Sequence, residues 1–303
     1  MNSNRRLSNC LKLFLIVAFA GTAISACGNG GNGDVLYYVS LGDSLSQGVQ
    51  QDPATGESVP TNEGYADQLF AALQPQFPNL QLVKLGCPGE TTTTMVNGGI
   101  CDTYTSGSQL TDATQFLVDN KDNILLVTID IGSNDVLQSG CLDITDPAQQ
   151  QACFQKTFAG IGSNLSLIAS TLFEAADGVF PVIGMTYYNP FLNAWLLGPP
   201  QGPAIAQATA ALQTVFNQQV LSAVYALNGF PVADVATSFK SDDFTTMVPF
   251  PPPFNMVPIN VALICQWTYL CPNPASGLEP NVHANAAGYK VIADTFLAVF
   301  NAL

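Results

Sequence analysis

Arginine is absent beyond position 6, histidine occurs once, and no two cysteines stand in Cys-x-x-Cys spacing. Charged residues make up only 10% of the 303 positions, and basic ones are the scarcer kind: eight Lys and Arg against 22 Asp and Glu. Three of those eight (Arg5, Arg6 and Lys12) fall within the first twelve residues, and no acid precedes Asp34. Beyond residue 26 the chain therefore keeps five lysines against all 22 acids. Phosphate backbones repel so acidic a surface, which excludes nucleic acid as a partner. With one histidine and no Cys-x-x-Cys pair, a zinc site lacks its usual ligand set, so neither metal nor cofactor is expected. Disorder is excluded by the 48% apolar content. The length suits one large domain or two small ones, enough to bury a sizeable core.

The basic residues that do occur early have a use. Arg5, Arg6 and Lys12 precede a nine-residue apolar run, Leu13 to Gly21, which is too short to span a bilayer. Residues 1–26 thus read as a secretory signal. Ile24-Ser25-Ala26-Cys27 resembles a bacterial lipobox, which implies cleavage before Cys27 and acylation of that residue; the plain alternative is ordinary cleavage with Cys27 left free. Residues 27–34, Gly- and Asn-rich, read as a flexible tether. Residues 35–303 follow as a single domain. The expected localisation is export with a lipid anchor at the cell envelope, held stably by more than one acyl chain.

Six cysteines remain after Cys10 and Cys27, and an exported chain meets an oxidising compartment. Sequence alone allows fifteen connectivities. We expect the local one, Cys87–Cys101, Cys141–Cys153 and Cys265–Cys271, each link contributing roughly 2–3 kcal/mol through loop entropy.

The apolar and aromatic run at Val35–Leu41 predicts a strand buried on both faces, Ile124–Ile131 another buried strand, and Leu80–Leu85, Val179–Thr186 and Phe230–Val235 further strands. Helical spacing is expected over 64–74, 108–121, 147–176, 204–227 and 285–303. This alternation implies α/β architecture with a parallel sheet covered on both sides. Two apolar, proline-rich stretches, 189–203 and 244–274, read as long loops that either wall a pocket or cap the sheet edge.

Open parallel sheets bind ligands beyond the carboxyl ends of their strands. Three strand exits carry Gly42-Asp43-Ser44-Leu45-Ser46, Cys87-Pro88-Gly89-Glu90-Thr91-Thr92 and Gly132-Ser133-Asn134-Asp135, and a last loop carries Val282-His283-Ala284-Asn285. If a hydroxyl nucleophile works here with a histidine base, His283 is the single candidate. The Gly-x-Ser-x-Gly elbow is absent, which argues against an α/β-hydrolase.

In these four blocks, in this order, the sequence resembles the GDSL esterases and lipases, also called SGNH hydrolases. The resemblance implies a flavodoxin-like three-layer α/β/α fold with a central parallel sheet. It also implies Ser44 as nucleophile, His283 as general base, and Gly89 N–H with the Asn134 amide as oxyanion-hole donors beside Ser44 N–H. The family usually orients its histidine with an aspartate three residues earlier, where this chain has Pro280. Glu279 or a backbone carbonyl is expected to take that place. The expected activity is a serine carboxylic ester hydrolase on a small-molecule or lipid ester, monomeric, with the membrane reached through the anchor. Two alternatives stand beside it: acyl transfer at the same site, and a non-catalytic lipid- or glycan-binding lipoprotein. With an ordinary imidazole as base, activity would fall below roughly pH 6–6.5.

Overall fold

The computed structural model describes residues 35–271 and 277–303. The signal segment, Cys27 and the tether therefore lie outside the described residues. In chain order the strands are β1 (Leu36–Gly42), β2 (Gln50–Gln51), β3 (Ser58–Val59), β4 (Leu80–Lys84), β5 (Ile124–Asp130), β6 (Val182–Met185), β7 (Val232–Ala233), β8 (Met247–Pro249) and β9 (Met256–Pro258). The α-helices are α1 (Tyr65–Leu73), α2 (Thr92–Asn97), α3 (Gln109–Asp119), α4 (Ser133–Leu137), α5 (Pro147–Ala176), α6 (Gln201–Val215), α7 (Ala223–Leu227), α8 (Val235–Ser238), α9 (Ile259–Trp267) and α10 (Ala286–Phe300).

Five strands form the central sheet in the order β4-β1-β5-β6-β7, every pair parallel. The order reverses direction around β1, which opens a crevice above the β1–β5 boundary where flavodoxin-like sheets take their ligands. Helices flank the sheet, giving the three-layer α/β/α fold expected from the sequence. The two central strands β1 and β5 are largely apolar because both faces are covered, with Tyr38, Val39, Leu41, Leu126, Val127 and Ile129 buried, while Ser40, Thr128 and Asp130 are buried polar exceptions. Helices α1 and α10 pack on each other, with the Tyr65 and Phe296 rings stacked at 5.0 Å. Helix α5 begins where its sequence says it should: Asp146 accepts the Gln149 N–H as N-cap and Pro147 takes the first helical position. Such a cap is worth about 1 kcal/mol.

Two expectations need correction. The helix expected over 204–227 starts earlier, at Gln201, and passes through a π-helical segment, Phe216–Ser222, before α7. The stretch expected as a loop from 244 contains the β8–β9 hairpin and α9. Its prolines hide both. Pro249 ends one strand, Pro251 to Pro253 make the turn, and Pro258 stands immediately before α9. Among the described residues no helix is long and apolar enough to cross a membrane.

Candidate active site

The chain leaves β1 through Gly42, whose φ of +132° suits glycine alone, and whose missing side chain leaves room for the Asp130 carbonyl of the paired strand. Asp43 Oδ1 then accepts the Leu45 N–H (2.9 Å), Ser46 Oγ donates to the Asp43 carbonyl (2.7 Å), and Val49 N–H returns to the Ser44 carbonyl (3.0 Å). These bonds wind residues 44–48 into successive turns and leave Ser44 half-buried at the tip. From below, Lys84 ties the turn to the sheet, donating to the Gln47 and Thr61 carbonyls and pairing with Asp67 at 3.0 Å.

The floor is acidic. Asp43 Oδ2 accepts from Ser133 Oγ (3.0 Å) and Tyr187 O–H (3.2 Å), and Asp130 Oδ1 accepts from Tyr65 O–H (2.6 Å). Burial, with the charge of Asp43 beside it, holds the Asp130 carboxyl well above the usual carboxylate range; burial also raises Asp43. The pair therefore retains a proton at a pH where lone aspartates have lost theirs.

The β4 exit is clamped to α4. Gln138 Nε2 donates to the Gly89 carbonyl (3.1 Å), Asn134 Nδ2 to the Glu90 carbonyl (3.0 Å), and Asp135 accepts both the N–H and the hydroxyl of Thr92 (2.8 and 2.5 Å). The Cys87–Cys101 disulfide closes the same loop. Gly89, at φ +85°, and Asn134 line one cavity with Ser44. Among the described residues the Ser44 and Gly89 N–H groups have no protein acceptor, and Asn134 keeps a second amide hydrogen beyond its bond to Glu90.

His283 arrives from the opposite side. Its loop is pinned to the segment after α9: Tyr269 N–H donates to the His283 carbonyl, Asn281 N–H to the Tyr269 carbonyl, and Thr268 bridges Ala284. The Cys265–Cys271 disulfide encloses that segment, and Asn285 caps α10 immediately beyond. His283 Nε2 lies 2.9 Å from Ser44 Oγ, although the two residues are 239 positions apart.

Among the described residues Nδ1 of the ring meets neither expected partner. It lies 2.6 Å from the side-chain oxygen of Asn281. Glu279 is exposed, and among the described residues its backbone carbonyl is engaged by Gln51 Nε2 at 2.7 Å. The Asn281–Tyr269 backbone bond fixes which way the loop faces, and this turns the side chain at 281 toward the ring. The ring pKa also departs from expectation. Burial pushes it down from 6.5 to about 4.

The cavity beside Ser44 has a volume of about 270 Å³. Its apolar wall comes from Phe158 of α5, Leu212 of α6 and Phe216 of the π segment, with Phe158 and Phe216 stacked at 5.6 Å. Pro190 and Phe191 contribute from the first proline-rich stretch. The described part of the second stretch contributes no lining residue; its helix α9 packs on α10 instead. The remaining disulfide, Cys141–Cys153, lies beside Leu142 at the rim. Among the described residues no three His, Cys, Asp or Glu side chains converge as a metal site.

A serine hydroxyl and an imidazole at hydrogen-bond distance, N–H groups without an acceptor among the described residues and an apolar cavity form a constellation suited to acyl transfer. Residues 40–291 match the model of the GDSL-like lipase/acylhydrolase family. No curated protein matches significantly. Among solved structures the chain is similar to an extracellular lipase from Streptomyces rimosus, with a TM-score of 0.54 and 19% identity, covering 88% of this chain and all of that one. It is similar also to a phospholipase A1 from Streptomyces albidoflavus NA297, with a TM-score of 0.51, 18% identity and the same coverage. At such identities the likeness is one of fold.

Proposed function

This chain belongs to the GDSL-like lipase/acylhydrolase family, and from that premise we propose that it hydrolyses carboxylic esters through an acyl-enzyme on Ser44. The observation that carries the reading is the 2.9 Å approach of His283 Nε2 to Ser44 Oγ at the cavity mouth. A serine hydroxyl is a weak nucleophile until a neutral imidazole takes its proton. As Oγ bonds to the ester carbonyl carbon, His283 Nε2 accepts that proton. The carbonyl oxygen becomes an oxyanion held by the Ser44 and Gly89 N–H groups and the free amide hydrogen of Asn134. The tetrahedral intermediate expels the alcohol oxygen, which takes the proton from Nε2. Water then attacks the acyl-enzyme by the same route, releasing the acid and restoring Ser44. Each oxyanion donor is worth about 2.7–4 kcal/mol in the transition state. The test is covalent labelling by a fluorophosphonate together with turnover of p-nitrophenyl butyrate; a chain that does neither is not a serine esterase.

The apolar cavity supports an acyl chain as the bound portion. Replacing Leu212 with Trp narrows it, so hydrolysis of p-nitrophenyl octanoate should fall by about tenfold or more while the acetate changes little. Equal losses on both esters would mean that the chain binds elsewhere. Export is supported by the three disulfides, which persist in oxidising compartments.

The buried ring sets the pH dependence. Burial penalises the imidazolium, so the neutral base persists as pH falls through 6.5, and kcat/KM should halve near pH 4 instead of near 6–6.5. An unfolded chain takes up that proton at the ordinary value, so stability declines over the same interval. The profile should therefore be read alongside circular dichroism. A limb at pH 6 or above with the fold intact would mean that the ring is solvated.

A further inference from the structure

We propose that Asn281 is the positioning residue for His283, a neutral amide standing where a carboxylate would be expected. The inference rests on the reading of His283 as base, but its geometry is independent of any substrate.

Three bonds define the role. Asn281 Oδ1 accepts from the His283 backbone N–H at 3.0 Å and faces Nδ1 at 2.6 Å, while Asn281 Nδ2 donates to Ser58 Oγ at 2.7 Å. The backbone N–H can only donate, so it fixes which amide atom points inward. Reversing the amide would set Nδ2–H against that N–H. With oxygen held there, Nδ1 must carry the ring hydrogen, which leaves the Nε2 lone pair for the Ser44 hydroxyl. The amide thus selects the tautomer that a general base needs. Its own support is the β2–β3 hairpin, which provides Ser58, holds the Glu279 carbonyl through Gln51, and meets Tyr269 O–H through Gln50 at 3.1 Å.

A carboxylate would do something more, since its charge stabilises the imidazolium. Among the described residues no such charge faces the ring. Asp43 lies below Ser44 with its carboxyl turned to Ser133, Tyr187 and Asp130, Glu57 and Glu279 are exposed, and Tyr188 and Tyr269 engage backbone or Gln50. Asn281 therefore orients the ring without raising its basicity.

One histidine in the chain makes the test direct. Nitrogen NMR on histidine-labelled protein reads the tautomer and titration of this ring alone, with no turnover required. The wild-type ring should be protonated on Nδ1 when neutral. Asn281→Asp keeps the shape and the contact to Ser58, and should raise the ring titration and the acid limb of kcat together by more than one pH unit. Asn281→Leu removes the acceptor and should lower kcat by about 10²-fold with KM little changed; activity should return in the Asp variant. A neutral wild-type ring protonated on Nε2, or an Asp variant titrating with the wild type, would overturn the proposal. A protein inert to esters and to fluorophosphonate, but with the expected ring behaviour, would instead refute the esterase reading and leave this one standing.

Discussion

Substituting Ser44 with Ala should lower kcat on a p-nitrophenyl ester by about 10⁴-fold or more and abolish fluorophosphonate labelling, with the melting temperature almost unchanged. The size follows from the role: removing the nucleophile of a serine hydrolase leaves only what binding and oxyanion donors contribute. The unchanged fold follows from the position. Ser44 is half-buried at a turn tip, and the turn is held by the side chains of Asp43 and Ser46 and by backbone bonds. Only the bond from Oγ to His283 is lost, worth about 1 kcal/mol. Ester turnover within tenfold of wild type in a purified, folded variant would remove Ser44 from the mechanism.

The second large effect is structural. Gly42→Ala should destabilise the protein by about 4 kcal/mol or more, lowering the melting temperature by about 10 °C. A methyl group at this position would sit 1.9 Å from the Asp130 carbonyl oxygen, within the paired ends of β1 and β5. Neither backbone can retreat, because Gly42 is also gripped by Gln109, which accepts its N–H and donates to its carbonyl at 2.6 and 2.9 Å. Gly89→Ala provides the contrast. It shares a positive φ, but nothing lies within 4 Å of its added carbon, so the loss should be only the backbone strain of about 1–2 kcal/mol. Equal melting temperatures for the two variants would show that the close approach at Gly42 is relieved at little cost.

β1 and β5 were legible because burial on both faces leaves a plain mark, a largely apolar run, and each of the five expected stretches overlaps one strand of the sheet. Helix α2, Thr92–Asn97, left none: a six-residue segment with three threonines has too few apolar residues for a period. Helix α9 failed for the opposite reason, being apolar on nearly every side behind a cluster of prolines. The residues that meet at the cavity mouth could be found as short blocks at strand exits, since tight turns demand glycine and small polar residues at close spacing. Phe158, Leu212 and Phe216 could not be found in this way. They sit in long helices, where an aromatic residue facing a ligand looks like one facing the core. Asn281 escaped because the expected orienter was sought by charge and by spacing from His283, whereas a short polar side chain two residues before the ring reaches Nδ1 without either.

The three disulfides close short spans of 14, 12 and 6 residues. One braces the loop of Gly89, one the rim at Leu142, and one the segment that seats His283. Reduction would therefore weaken the fold and, at the same places, the supports of the candidate site. On the esterase reading proposed above, a reductant should slacken the margins that align the reacting atoms, and ester turnover should fall as those links open.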